Sequence, residues 1–197
     1  MSEREKLWEP TEEWIKYTVI TRFIEHVNNK YNAGISDGKA LYKWSVDNIP
    51  QFWEAVWDFS GIIASKKYDK VVEDLSVFPG TKWFPGARLN FAENLLRYKD
   101  DQKAFIFQGE TKVSKSMTYE ELNKQVARLA RSLKEMGIKP GDRVVSYIPN
   151  LIETPMAMLA TTSLGAIWAS CGAELQSRAV IDRFEQIKPR VLFTVDG

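Results

Sequence analysis

The chain has 197 residues, of which 44% are apolar and 27% charged, and its formal net charge is +1. These proportions are typical of a globular domain and exclude a disordered or collagen-like chain. A net charge this close to zero provides no field that would attract nucleic acid or an anionic membrane, so neither is expected as a partner.

The cysteine count and the apolar segments indicate the cellular compartment of the chain. Cys171 is the single cysteine, so no disulfide can form within the chain and a reducing compartment is favoured. The N-terminal MSEREKLWEP is charged and lacks the apolar stretch of a secretory signal. The run TPMAMLATTSLGAIWAS is too short for a membrane span. Together these features predict a cytoplasmic protein.

The first region of the chain is predicted to be helical and aromatic. Six of the seven tryptophans precede residue 84. Thr11 is placed to cap a helix that begins at Glu12 and continues to about residue 31. The β-branched run at residues 18–21 is expected to divide this helix. His26 lies on it and is interpreted as a surface or boundary residue rather than a catalytic one.

A second helix is predicted over SVDNIPQFWEAVWDFSGI. Asp47 or Asn48 can cap this helix, and Pro50 suits its first turn because a missing N–H costs little there. Its apolar face is so broad that it should be buried against a large surface. The residues of that face are Phe52, Trp53, Val56, Trp57 and Phe59.

Strands and helices alternate in the second region, from about residue 101 onward. KAFIFQ and TKVSKSMTY predict two strands joined by a tight turn at GE. The next segment, TYEELNKQVARLARSLKEMG, has the clearest helical period in the chain. Thr118 and Glu121 form a capping box at its start, and Gly137 supplies its C-terminal cap.

Three further strands are predicted at RVVSYIP, GAIWAS and RVLFTV, with helices between them over residues 151–164 and at LQSRAVIDRFEQIK. This β-α-β-α-β order with short connections predicts a parallel sheet with right-handed crossovers. The first and last strands are almost fully apolar, as strands covered on both faces tend to be. The predicted fold class is α/β, with the aromatic helical region packed on the start of a parallel sheet.

The motifs of several enzyme classes are absent from the sequence. There is no G-x-G-x-x-G loop and no G-x-S-x-G segment. GISDGKA is predicted to be a loop, because three residues rather than the four of a P-loop separate its glycines and Ala40 replaces Ser or Thr. One histidine and one cysteine cannot build a His/Cys metal site, and Cys171 is expected to be a buried or boundary thiol. No catalytic residue and no metal ligand is predicted.

Several segments together resemble the N-terminal region of acetoacetyl-CoA synthetases, which belong to the acyl-CoA synthetase group of adenylate-forming enzymes. WFPGARLNFAENLL and LYKWSVDNIPQFWEAVWDFSGI carry the likeness to that region. MTYEELNKQVARLARSLKEMGIKPGDRVVSYIPN resembles the first conserved segment of adenylate-forming domains, and AMLATTSLGAIWASC and VIDRFEQIKPRVLFTVDG resemble the part that follows. The likeness implies a helical N-terminal region at residues 1–100 and the first part of the AMP-binding domain at residues 101–197.

The resemblance implies an ATP-dependent acid–thiol ligase. Such an enzyme converts acetoacetate and ATP to an acyl-adenylate and pyrophosphate, and CoA then displaces AMP to give acetoacetyl-CoA. ATP, CoA and Mg²⁺ are the implied cofactors of the parent enzyme, and a short-chain acid is its substrate. The family's phosphate loop, adenine-binding segment, ribose-binding Asp and C-terminal Lys are not in this sequence. The chain is therefore expected to be the first part of a longer enzyme, to be inactive alone and to bind none of these cofactors.

The resemblance also gives one local site. In related synthetases the loop after the strand at GAIWAS lies near the CoA nucleotide, so Gly172 and Ala173 are expected to approach CoA through their backbone. The family usually reads Ser-Ser-Cys-Ser-Pro-Asp-Phe-Gly at this loop. This chain reads ASCGAELQ over residues 169–176.

The irregular segment TKWFPGARLNFAENLL is implied to wrap over the α/β core. Trp83, Phe84 and Phe91 would be its apolar anchors. Asn90 and Asn94 would hydrogen-bond to backbone within the segment.

Two other interpretations stay open from the sequence. One is a standalone interaction module that docks partners through its aromatic helices, and the other is a synthetase for a different short-chain acid. If the sheet is unfinished, apolar surface or unpaired strand groups should be exposed, and self-association is then expected.

Overall fold

The computed structural model describes residues 7–111 and 113–196. The chain divides into two compact units, with the division between Arg88 and Leu89. Among the described residues, no helix combines the length and the apolar character needed to cross a membrane.

Four helices form the first unit: α1 (Glu12–Lys16), α2 (Val19–Tyr31), α3 (Gly38–Asp47) and α4 (Ile49–Phe59). Thr11 caps α1 as predicted, because its hydroxyl oxygen accepts a hydrogen bond from the Trp14 N–H at 3.2 Å. The predicted division of the first helix is also confirmed. It falls where the Thr18 hydroxyl oxygen accepts a hydrogen bond of 3.3 Å from the Thr21 N–H and so caps a new helix.

Helix α3 corrects the prediction that GISDGKA is a loop throughout. Asp37 accepts a hydrogen bond of 2.8 Å from the Ala40 N–H, so Gly38 begins a helix. An Asp at this place stabilises a helix start even where the first helical residue is a glycine. The part of the segment before Asp37 is irregular, and Asn28 holds it by a pair of hydrogen bonds to the backbone of Ile35, at 2.8 and 2.9 Å.

Helix α4 carries Pro50 in its first turn as predicted, but neither proposed cap operates. Asp47 is the last residue of α3. Asn48 makes no side-chain cap, and its amide instead donates to the Trp44 carbonyl at 3.1 Å. Because α3 and α4 are nearly continuous in sequence, the residue between them ends the first helix rather than capping the second.

Only part of the broad apolar face of α4 is buried in the core of the first unit. Ala55 is fully buried, and Phe52, Val56 and Phe59 pack against the core partly buried. Trp53 remains 41% exposed, so the predicted burial of the whole face is wrong. The buried residues of this core are Phe23, Val27, Ile35, Leu41 and Ala55.

The irregular segment has one well-packed aromatic side chain in the first unit. Phe84 lies 4.8 Å from the ring of Trp57 and 5.2 Å from that of Tyr68. Trp83 contacts Trp53 at 5.9 Å but is 42% exposed, and Phe91, in the second unit, is 56% exposed. Phe91 is therefore not a buried anchor of its unit. It begins a short helix whose next residue, Ala92, faces the core instead.

The second unit contains a hairpin and a parallel sheet. Its elements are α5 (Phe91–Leu95), β1 (Lys103–Gln108), β2 (Ser114–Thr118), α6 (Tyr119–Glu135), β3 (Arg143–Tyr147), α7 (Glu153–Ser163), β4 (Ile167–Cys171), α8 (Ser177–Ile187) and β5 (Val191–Thr194). Strands β1 and β2 pair antiparallel, and β3 pairs parallel with both β4 and β5 in the order β4-β3-β5. The predicted hairpin and the predicted parallel sheet are confirmed, but the tight turn at GE is not, because β1 ends at Gln108 and β2 begins only at Ser114.

Helices cover both faces of the central strand β3. Val144 belongs to the core formed with α6 and α7, whereas its neighbour Val145 packs against Val180 and Phe184 of α8. Successive strand residues point to opposite faces, so α7 and α8 lie on opposite sides of the sheet. Val144, Val145 and Ser146 are all fully buried, as predicted for this strand.

Strand β5 differs from the prediction that both its faces are covered. Phe193 packs against the core, but Leu192 is 52% exposed. Leu192 points to the face of α8, and β5 is an edge of this sheet among the described residues. An apolar strand sequence identified the strand correctly but could not show which of its neighbours would cover it.

Helix α6 begins and ends where the sequence predicts. The Thr118 hydroxyl oxygen accepts from the Glu121 N–H at 3.2 Å, and the Glu121 carboxylate accepts from the Thr118 N–H at 2.9 Å. This is the reciprocal pair of a capping box. Gly137, just past the helix, adopts a φ of 84°, a conformation that glycine reaches at least cost.

Candidate functional site

The carboxyl ends of β3 and β4 lie side by side, with Tyr147 paired with Cys171 in the parallel register. The loops that follow these strands, residues 148–152 and 172–176, border a cavity of about 360 Å³. In open α/β sheets, ligands bind outside the carboxyl ends of the strands. The cavity is therefore the candidate site of the second unit.

Gly172 and Ala173, the two residues predicted to approach a ligand, both line this cavity. They are exposed, and the Gly172 carbonyl accepts a hydrogen bond from the Leu175 N–H at 3.2 Å within the loop. The backbone of Gly172 is exposed at the cavity, on the sides that the Glu174 carboxylate does not cover.

The Glu174 side chain lies across Gly172. A Cβ atom placed on Gly172 would come within 2.3 Å of either Glu174 carboxylate oxygen. Among the residues that the structure describes, Glu174 has no hydrogen bond or ion pair to hold it there. Its carboxylate is therefore free to move and adds a negative charge to this wall of the cavity.

Tyr147 joins the loop after β4 to the end of β3. Its hydroxyl donates a hydrogen bond of 2.6 Å to the Leu175 carbonyl and lies 3.2 Å from the Ala173 carbonyl. The ring is partly buried against the apolar cluster that contains Val145 and Cys171. Sequence analysis missed this residue, although a tyrosine at the carboxyl end of a buried strand is a usable signal.

The loop after β3 forms the opposite wall. Thr154 donates a hydrogen bond of 3.2 Å from its hydroxyl to the Pro149 carbonyl, and the Leu151 N–H donates to the same carbonyl at 2.7 Å. Helix α7 begins directly after this loop and has no side-chain cap. These contacts fold the loop tightly and set Asn150 at the cavity rim.

Cys171 has a packing role. It is buried together with Val145, Val180 and Phe184 on the α8 face of the sheet. The expectation of a buried or boundary thiol is confirmed.

A second cavity, of about 440 Å³, lies at the carboxyl ends of β3 and β5. Phe193, Thr194 and Met156 contribute to its wall, which is mostly apolar. In the order β4-β3-β5, the chain runs from β3 to β4 on one side and then returns to β5 on the other, so the strand order reverses between β3 and β5. The sequence predicted the strand order that defines this point but not the cavity.

No group of three or more metal-ligating side chains occurs within residues 7–111 and 113–196. His26 lies in the first unit, between the rings of Phe23 and Phe59 at 6.4 and 5.6 Å. It is partly buried, and its Nε2 atom has no hydrogen-bond partner among the described residues. The interpretation of His26 as a boundary residue is confirmed.

The first unit contains a cluster of linked charged and polar side chains. The Tyr31 hydroxyl donates to Glu54 at 2.6 Å, and the Lys30 ammonium lies 3.2 Å from Glu54 and 2.6 Å from Asp58. The hydrogen bond from Tyr31 lowers the pKa of Glu54. Burial, together with the bond to Glu54, raises the pKa of Tyr31 to about 12. These groups join α2 to α4 and serve stability.

Two family models match the chain. Residues 91–197 match the model described as AMP-binding enzyme, and residues 39–95 match the model described as acetyl-coenzyme A synthetase N-terminus. The first match alone covers more than half of the chain.

Individual relatives agree with these models. The acetoacetyl-CoA synthetases of Xenopus tropicalis and Rhizobium meliloti (strain 1021) are 39% and 40% identical to this chain over 99% and 100% of its length. A malonamoyl-CoA synthetase from Penicillium aethiopicum is 39% identical over 91% of it. The chain spans 26% to 30% of the length of these relatives.

A solved structure gives the same result for the fold. The acetoacetyl-CoA synthetase from Streptomyces lividans is 41% identical and matches 98% of this chain with a TM-score of 0.92, over 30% of its own length. By its sequence and its fold, the chain belongs to the AMP-binding enzyme family.

Proposed function

We propose that this chain is the N-terminal portion of an ATP-dependent acid–thiol ligase. The enzyme would convert acetoacetate, ATP and CoA to acetoacetyl-CoA, AMP and pyrophosphate through an acyl-adenylate. The observation that carries this proposal is the identity of about 40% to acetoacetyl-CoA synthetases over nearly the whole chain. The match to the Rhizobium meliloti enzyme spans both units and is therefore not limited to the AMP-binding domain.

The cavity at the carboxyl ends of β3 and β4 supports a place for CoA in this reaction. Gly172 and Ala173 would meet CoA through backbone groups, which suit the amide groups of its pantetheine arm or the edge of its adenine. The Glu174 carboxylate would have to turn away before a phosphate could approach, because like charges repel. When bound, CoA supplies the thiol that attacks the acyl carbon of the adenylate.

The enzyme would also use ATP and Mg²⁺. Among the described residues, no three or more His, Cys, Asp or Glu side chains are grouped so that they could hold a metal ion. The described residues would shape the site and orient its ligands. Positioning of this kind accounts for a large share of catalysis in such transfers.

Assays of two proteins test the proposal. The protein expressed from the complete coding frame that contains this chain should form AMP only when acetoacetate, ATP and CoA are all present. The 197-residue chain alone should form none. An absence of acid-dependent AMP formation by the complete protein would contradict the ligase, and turnover by the short chain would contradict the proposed inactivity.

The proposed acid substrate is acetoacetate, and related acids can be compared with it directly. A relative named for malonamoyl-CoA has the same identity to this chain, 39%, as two of those named for acetoacetyl-CoA, although it matches 91% rather than 99% of the chain. Acetoacetate, malonamate and acetate should therefore be compared in the same assay by kcat/KM. Acetoacetate is expected to have the highest value, and a higher value for either other acid would replace it as the proposed substrate.

A further inference from the structure

Tyr147 ties the loop after β4 to the end of β3, beside the proposed CoA site. It is the last residue of β3, and its hydroxyl extends to the loop after the neighbouring strand β4. There it donates a hydrogen bond of 2.6 Å to the Leu175 carbonyl, 28 residues along the chain. The Ala173 carbonyl lies 3.2 Å from the same hydroxyl.

Few other contacts hold this loop. Its internal hydrogen bond, from the Leu175 N–H to the Gly172 carbonyl at 3.2 Å, fixes a turn but does not attach the loop to the sheet. Gln176, which precedes α8, makes no side-chain cap. The Leu175 side chain packs against the apolar cluster below. Among the described residues, the Tyr147 hydroxyl is the polar group that ties the loop to β3.

The tie acts on the residues that would meet CoA. Gly172 and Ala173 line the cavity, while the carbonyls that receive the Tyr147 hydroxyl belong to Ala173 and Leu175. A shift of the loop would therefore move the cavity wall directly. The ring of Tyr147 packs separately, against the α8 face of the sheet, so the hydroxyl can be removed without emptying a core position.

We propose that Tyr147 is a positioning residue for the loop at 172–176 and, through it, for CoA. The inference rests on the proposed function. This role concerns only the second half of the reaction, because thioester formation needs CoA and adenylate formation does not. Loss of the hydroxyl should weaken the use of CoA and leave adenylate formation unchanged.

The test uses the complete enzyme with Tyr147→Phe. Acid-dependent exchange of pyrophosphate into ATP, measured without CoA, should equal that of the unchanged enzyme. The KM for CoA should rise by about 2- to 12-fold, the factor that corresponds to losing one net hydrogen bond. Tyr98→Phe is the matched control, because Tyr98 is 55% exposed and its hydroxyl makes no hydrogen bond among the described residues. The control should change neither quantity.

A second variant covers the case in which Tyr147→Phe folds poorly. Tyr147→Met keeps apolar bulk at the position without a hydroxyl, and it should raise the KM for CoA in the same way. Amide hydrogen exchange of either folded variant should be faster at residues 173–176 than in the unchanged enzyme.

The outcomes distinguish this inference from the proposed function. If the unchanged enzyme shows no acid-dependent exchange and no CoA-dependent AMP formation, both fail together. If the unchanged enzyme works, the inference alone fails in either of two cases. One is an unchanged KM for CoA in the hydroxyl-free variants, and the other is a loss of pyrophosphate exchange as large as the loss of thioester formation.

Discussion

The Tyr31 hydroxyl and the Glu54 carboxylate are joined by a hydrogen bond of 2.6 Å between α2 and α4. Both groups are taken partly out of water, and each shifts the titration of the other. The pKa of Glu54 is lowered because the phenol donates to its charged form. The pKa of Tyr31 is raised to about 12 by burial and by the nearby carboxylate.

This pair predicts a loss of stability at alkaline pH. An unfolded tyrosine titrates near 10, so the contribution of Tyr31 is fully present below about pH 10 and is lost as the pH rises towards about 12. Urea unfolding at a series of pH values should show this loss. Burial also raises the pKa of Tyr68, so ionisation of Tyr68 should likewise lower stability at alkaline pH.

Two tyrosine variants control this measurement. Tyr31→Phe should reduce the alkaline loss, because no phenol remains to ionise at that position. Tyr42→Phe should leave it unchanged, since Tyr42 is 73% exposed. An equal loss of stability at alkaline pH in the unchanged protein and in Tyr31→Phe would contradict the prediction.

At acid pH, the contribution of Glu54 to stability is present above its unfolded pKa of about 4.3 and is lost as the pH falls further.

Asn90 is predicted to stabilise the second unit through two separate bonds. Its side-chain carbonyl accepts from the Glu93 N–H at 3.1 Å and caps α5, while its amide donates to the Ser163 carbonyl at 3.0 Å. Asn90→Ala should lower the free energy of unfolding by about 1–3 kcal/mol. The free energy of unfolding of Asn90→Ser should lie between those of the unchanged protein and Asn90→Ala, because a serine keeps the cap and loses the bond to α7.

The control for Asn90 is Asn29→Ala, at an exposed position of α2. It should change the free energy of unfolding by less than about 0.5 kcal/mol. The prediction fails if the serine and alanine variants of Asn90 are equally stable, since the cap would then contribute nothing.

Two glycines are expected to differ in how much stability their substitution by alanine costs. Gly165 has a φ of 71°, and a Cβ there would lie 3.3 Å from the Pro140 side chain, so Gly165→Ala should cost about 1–2 kcal/mol. At Gly172 the obstructing atoms belong to the exposed and flexible Glu174 carboxylate, which can turn away. Gly172→Ala should therefore cost less than about 0.5 kcal/mol. Thermal unfolding of the two variants side by side decides the order.

The α8 face of β5 is predicted to drive self-association of the 197-residue chain. Leu192 and Ile181 are 52% and 54% exposed beside a cavity of about 420 Å³, and exposed edge strands favour pairing between chains. Leu192→Lys should reduce the mean mass measured by light scattering. Ile106→Lys, at a 75% exposed position of the hairpin, is the control and should not. A monomeric unchanged chain at high concentration would contradict the prediction.

The sequence predicted those features that a few neighbouring residues encode. The capping box of Thr118 and Glu121 needs only three residues of separation, and the alternation of apolar periods predicted the parallel sheet without further information. The loop carrying Gly172 and Ala173 was placed correctly at a strand end for the same reason. Its expected contact with CoA, taken from the resemblance, stays a prediction.

Tertiary structure decided what lies against what. Phe91 and Leu192 are as apolar as buried residues but are 56% and 52% exposed, because burial depends on which distant element covers a side chain. The bond from Tyr147 to Leu175 joins residues 28 positions apart, and no local pattern encodes such a pairing. Hydrogen bonding and periodicity within a helix or strand are short-range and can be predicted from the sequence. The shape of a cavity wall depends on long-range packing, which exists only once the strands are aligned.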